Sequence, residues 1–133
     1  MSRFVVDARA LLSIIDGGPP VHVDHDLVAP NSVRSQTLEL ILARVREGGL
    51  TRRDAHLVLD RLAAVKLRAL NDRVSRRLAF DIALEQGWDT LRDAEYLAVT
   101  RLAADALVAG EPRLAALAEG LVPVAPLDAL SRP

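Results

Sequence analysis

Arg3-Phe4-Val5-Val6-Asp7-Ala8-Arg9-Ala10-Leu11-Leu12 is the stretch on which the fold of this chain turns. Phe4-Val5-Val6 is an unbroken apolar run that stops at a carboxylate, and a helical pattern (Ala8, Leu11, Leu12, Ile15) starts at once. A continuous apolar run reads as a strand covered on both faces, which places it centrally in a parallel sheet. Asp7 then stands where that strand ends and a helix begins. Ligand sites of open α/β sheets lie just beyond the carboxyl ends of the strands. Asp is also a good helix N-cap, so Asp7 alone supports either reading.

The rest of the chain repeats the alternation. Asp16-Gly17-Gly18-Pro19-Pro20 stops the first helix, and Leu27-Val28-Ala29 reads as a second strand. Between them, His22, Asp24, His25 and Asp26 offer imidazole and carboxylate donors, but their spacing matches no metal motif. Asn31 or Ser32 caps a helix with Val33, Thr37, Leu38, Leu40, Ile41 and Val45 inward. Gln36 falls at the edge of that face and Glu39 further round. Thr51-Arg52-Arg53-Asp54 opens a third helix as a capping box, on which His56 is a surface residue. Lys66–Leu70 fits a short strand or a fraying helix end. Asn71-Asp72 caps a fourth helix (Val74, Leu78, Ile82 inward), which ends at Gly87-Trp88. Asp89-Thr90 starts a fifth, with Thr90 as N-cap and Asp93 at N3. Ala106–Ala109 is a buried strand, Pro112 suits the first position of a short helix, and Leu121–Val124 is a last, proline-bearing edge strand. Strands and helices joined by short connections give an α/β sandwich around a parallel sheet of four to five strands, one domain over 1–133.

Bulk composition excludes several classes. At 133 residues and 50% apolar, the chain suffices for one well-buried domain. It has no cysteine, which rules out thiolate catalysis and Cys-ligated zinc. No apolar run approaches the ~20 residues of a membrane span, and no leader precedes the first strand, so a soluble cytoplasmic protein is expected. Aromatic residues are too few for a base-stacking platform. Net charge is −1, yet the 44–77 segment holds ten basic side chains against four acids, which suits a polyanion near an acidic site.

Three acids share a position type. Asp7 and Glu111 directly follow strands, and Asp93 stands at a helix start. Parallel strands end on one edge, so Asp7 and Glu111 converge by topology, and Asp93 joins them if its helix starts on that edge. Three converging carboxylates repel unless a cation lies between them, and an all-oxygen cluster suits Mg²⁺ or Mn²⁺. Such an ion can activate water for phosphodiester cleavage.

These residues carry a resemblance. Phe4-Val5-Val6-Asp7-Ala8, Leu27-Val28-Ala29-Pro30, Asp93-Ala94-Glu95-Tyr96-Leu97-Ala98, and Ala106-Leu107-Val108 with Arg113-Leu114-Ala115 occur in the order and spacing of PIN-domain proteins of the VapC toxin type, over nearly the whole chain. The resemblance implies a PIN-like three-layer sandwich and a Mg²⁺- or Mn²⁺-dependent ribonuclease cutting single-stranded RNA by metal-activated water. It also implies a small antitoxin partner and commonly a homodimer. Asp7 matches the family's first acid and Asp93 its third. The second, a Glu, falls on Gln36, and the fourth, an Asp, on Glu111. Glu111 keeps the charge with an added methylene, whereas Gln36 loses it and weakens attraction for a divalent ion. Thr90 matches a hydroxyl that hydrogen-bonds a metal-bound water, and arginines of 44–77 are expected to steer RNA. The alternative is a catalytically weakened PIN-like module that binds an antitoxin-like partner or RNA. A response-regulator-like domain is disfavoured, because the single Lys66 is poorly placed for it.

Overall fold

The computed structural model describes residues 2–133. Strand β1 (Ser2–Val6) lies between β2 (His25–Pro30) and β4 (Ala106–Val108), and β3 (Arg68–Leu70) pairs with the far side of β2. All pairings are parallel, in the order β3-β2-β1-β4. Val5 stands opposite Val28 on one side and Leu107 on the other, with no exposure at all. That double burial is why β1 shows no polar alternation.

Helix α1 (Ala8–Ile15) joins β1 to β2, and α2 (Val33–Arg46) with α3 (Arg52–Ala64) joins β2 to β3. The chain then reverses direction across the sheet through α4 (Arg73–Gln86) and α5 (Arg92–Ala103) to reach β4. Right-handed crossovers put helices made in opposite directions on opposite faces. Helix α5 accordingly packs on β1, β2 and β4 with α4 against it, while α1, α2 and α3 pack together. The result is a three-layer α/β sandwich with four strands and six α-helices among the described residues, ending in α6 (Pro112–Ala118) and a 3-10 turn at Leu127–Ser131.

Several expected boundaries shift. Leu121–Val124 is no strand. It makes one parallel bridge, Leu107 to Val124, with Leu107 N–H donating to the Pro123 carbonyl and Ala125 N–H to Leu107. Pro123 has no N–H with which to extend that ladder. Asp72 does cap α4, in a reciprocal box with Ser75, and Gly87 closes it at φ 72°. Val74, expected inward, is 61% exposed, because the buried side of α4 is built from Ser75, Ala79, Ile82 and Ala83. Helix α5 begins at Arg92 with Leu91 as N-cap, so Thr90 caps nothing and Asp93 is at N2. Its start follows the buried run Tyr96–Thr100, which must lie under the sheet.

The His22–Asp26 loop acts as a tie. His25 reaches the Arg132 carbonyl through Nε2 and meets Phe4 edge-on at 5.0 Å. His22 N–H donates to Leu130, and its Nδ1 accepts from Asp24 N–H at 3.1 Å. These bonds pin the C-terminal segment to the start of β2. No metal-holding group of His and acidic side chains forms there among the described residues. Nor, among them, is any helix long and apolar enough to cross a membrane.

Candidate functional site

Asp7 is the first residue past β1 and the N-cap of α1. The residue is 3% exposed. Its Oδ1 accepts from Ala10 N–H and Gly110 N–H, both at 2.8 Å, and its Oδ2 accepts from Glu111 N–H at 2.9 Å. One carboxylate thus caps a helix and clamps the β4–α6 turn to it. The turn fits because residue 110 is glycine. A Cβ there would lie 2.6 Å from Ala10 N and 2.9 Å from Arg9 Cβ. Gly110→Ala is therefore expected to lose about 1–3 kcal/mol by forcing these segments apart, read as a lower urea midpoint at unchanged slope.

Glu111 caps α6, its Oε1 accepting from Arg113 N–H at 3.3 Å while Oε2 takes Arg9 Nε at 2.8 Å. Asp93, in the first turn of α5, is held by both guanidinium nitrogens of Arg113, at 2.8 and 3.0 Å. Asp93 keeps the guanidinium of Arg113 more firmly protonated than usual. Gln36, on α2, donates from Nε2 to Ser32 Oγ at 3.2 Å and accepts at Oε1 from the Tyr96 hydroxyl at 2.6 Å. Tyr96 is 2% exposed. Burial, and then the negative charge of Asp7, push its phenol far above the usual tyrosine range, so it stays protonated and donates.

Asp7, Gln36, Glu39, Asp93, Tyr96 and Glu111 line a single concavity of about 340 Å³ with Arg9, Arg92 and Arg113. A second, of about 750 Å³, adjoins it through Gln36, Glu39, Arg92, Asp93 and Arg113, and adds Thr90, Ser32 and Ser35. The three acids and Gln36 thus meet where the strand ends converge, and Thr90 stands in the neighbouring hollow. Glu39, further round α2 than Gln36, belongs to both walls. The arginines of 44–77 do not enter either hollow: Arg44 pairs with Asp16, and Arg61 bonds the Ile15 carbonyl. Among the described residues, the cations at the site are Arg9, Arg92 and Arg113.

Those arginines and Tyr96 escaped the sequence reading, although one signal was present. Asp7-Ala8-Arg9 and Glu111-Pro112-Arg113 repeat an acid-x-Arg pattern across two helix starts. A cation in a helix's first turn opposes the helix dipole, so it needs a partner, and here each has one.

The donor set suits a hard divalent ion, being all oxygen with neither thiolate nor imidazole. Oδ2 of Asp7 accepts only one bond and keeps a lone pair for a ligand. The shell is not ready-made: no three acidic or His side chains are gathered as a metal cluster among the described residues. Arginines sit on Asp93 and Glu111 instead. The residues fit Mg²⁺ or Mn²⁺ in chemistry, provided those side chains give way.

No protein-family model matches the chain, and no curated protein matches it by sequence. Solved structures match it by shape. PAE2754 from Pyrobaculum aerophilum superposes with a TM-score of 0.71 at 22% identity, over 98% of this chain and 93% of that one. VapC20 of Mycobacterium tuberculosis, a sarcin-ricin loop cleaving toxin, superposes with a TM-score of 0.55 at 18% identity, over 92% of this chain and 99% of its own. The fold is therefore a VapC-like PIN fold, as the order of the motifs implies.

Proposed function

We propose that this VapC-like PIN fold is a Mg²⁺- or Mn²⁺-dependent endoribonuclease acting on single-stranded RNA. The observation that carries the reading is the convergence of Asp7, Asp93 and Glu111 on one hollow beyond the ends of β1 and β4. These three would hold the ion. When bound, it would supply an activated water and offset the charge of the phosphodiester displacement.

The remaining roles belong to the chain's own side chains. The Tyr96 hydroxyl fixes Gln36 by its carbonyl oxygen, which presents the amide at a constant angle to the hollow. Thr90 offers a hydroxyl from the adjoining wall. Arg92 lines both hollows and faces an incoming polyanion. RNA as the substrate class is supported by the named activity of VapC20. The same likeness supports a small antitoxin-like partner; a cytoplasmic setting and a homodimer complete the proposal.

Gln36 favours a second reading, a weakened nuclease or a binding module, because an amide attracts a divalent ion less than a carboxylate. Incubating the protein with single-stranded RNA in Mn²⁺ or EDTA decides between the two. Cleavage by the wild type that EDTA abolishes is the expected result, and cleavage that persists in EDTA would sink the first reading. Gln36→Glu is expected to lower the Mn²⁺ needed for half-maximal rate by roughly tenfold, since it adds a fourth charge to the ligand set. Activity found only in Gln36→Glu would establish the binding module instead.

A further inference from the structure

The site holds its own counter-ions. Arg113 lies across Asp93 in a two-point fork, yet its side chain is 62% exposed while the side chain of Asp93 is only 13% exposed. The carboxylate is fixed by the first turn of α5. The guanidinium sits at the end of a long side chain from the first turn of α6, where its charge opposes the helix dipole. If the pair breaks, Arg113 is the partner free to move. It borders both hollows, so leaving Asp93 does not take it away from the site.

We propose that Arg113 is a phosphate-binding residue held in reserve: paired with Asp93 until a divalent cation takes that carboxylate, it then pairs with a phosphate oxygen of the substrate strand. A guanidinium fork fits carboxylate and phosphate alike, so the exchange swaps one bidentate partner for another. Arg113 stays paired throughout while cation and polyanion enter together. The two ligands are coupled through one side chain, and each favours binding of the other. This inference rests on the metal-dependent reading above.

The test titrates wild type, Arg113→Ala and Arg113→Lys with Mn²⁺ by calorimetry. A single-stranded oligodeoxynucleotide, verified intact afterwards, is then titrated by fluorescence anisotropy with and without Mn²⁺. Arg113→Ala is expected to bind Mn²⁺ roughly two- to fivefold more tightly, because the competitor on Asp93 is gone. At saturating Mn²⁺ it should bind the oligonucleotide about fivefold more weakly, but within about twofold of wild type in EDTA, where Arg113 is already engaged. Arg113→Lys should retain most of the oligonucleotide affinity, having charge without the fork. Equal weakening with and without Mn²⁺ would reduce Arg113 to a structural or merely electrostatic residue and overturn the proposal. Unchanged Mn²⁺ affinity in Arg113→Ala would do the same while leaving the metal site standing. Absence of Mn²⁺ binding in all three forms would remove the metal site itself, and the exchange with it.

Discussion

Asp7→Asn is expected to lower stability by about 2–4 kcal/mol, a fall in Tm of roughly 6–15 °C for a chain of this size. The carboxylate accepts three backbone N–H groups from two segments about a hundred residues apart in sequence, and it does so buried. An asparagine has one acceptor oxygen. Placed where Oδ1 stands, it keeps Ala10 and Gly110 but turns its own NH₂ toward Glu111 N–H, leaving donor against donor. Bonds to a charged acceptor also weaken to neutral ones. An opposite effect acts against this loss. In a cluster of carboxylates, removing one charge relieves repulsion and stabilises the fold. Here Arg9 and Arg113 already neutralise Glu111 and Asp93, so little repulsion remains to relieve. Thermal unfolding in EDTA gives the sign. A Tm equal to or above wild type would show that repulsion outweighs the clamp.

The same bonds bear on both readings of Asp7 that its sequence context allows. It is a helix cap, and it is also placed to be a ligand, since Oδ2 retains a lone pair. A cap alone would bond only within α1; Asp7 reaches across to the β4–α6 turn and fixes the backbone of Glu111, another member of the acidic set. The geometry of the site is therefore an extension of the fold's own hydrogen bonding. For that reason, lost activity in Asp7→Asn would not distinguish a missing ligand from a loosened turn.

What can be read from sequence here follows from which forces are local. β1 is evident because double-sided burial leaves an unbroken apolar run, and Asp7 and Glu111 are evident because strand ends are visible in that pattern. Leu121–Val124 has the composition of a strand but not the pairing, since Pro123 removes the donor that pairing needs. The start of α5 lies one residue later than Thr90 suggests, because Thr90 is a good cap by type, whereas the buried run Tyr96–Thr100 decides where the helix lies. The arginines were the larger miss. A basic segment from 44 to 77 stands out by density, but density says nothing of direction, and the site takes its cations one each from α1, α5 and α6. Their partners are tertiary. Gln36 is the instructive middle case: its departure from an acid is plain in sequence, while the buried Tyr96 hydroxyl that orients it is known only once α5 is placed beside α2.

Asp93→Asn is the substitution on which the nuclease reading should be judged, with cleavage expected to fall about a hundredfold or more. Asp93 differs from Asp7 in making no bond to backbone. Its one partner among the described residues is the exposed Arg113 side chain, and exposed pairs contribute little to stability. Tm should then stay within about 3 °C of wild type, which separates a chemical effect from a folding one. Asn keeps the size and one oxygen but loses the charge, so a divalent ion would face two carboxylates and an arginine no longer held. Asp89→Asn, on the exposed turn before α5 and outside both hollows, controls for loss of one charge near the site and should cleave as wild type does. If Asp93→Asn cleaves at the wild-type rate, Asp93 serves only to hold Arg113. The convergence of acids would then be an architecture of caps and clamps, with Asp7 at its centre for structural reasons alone.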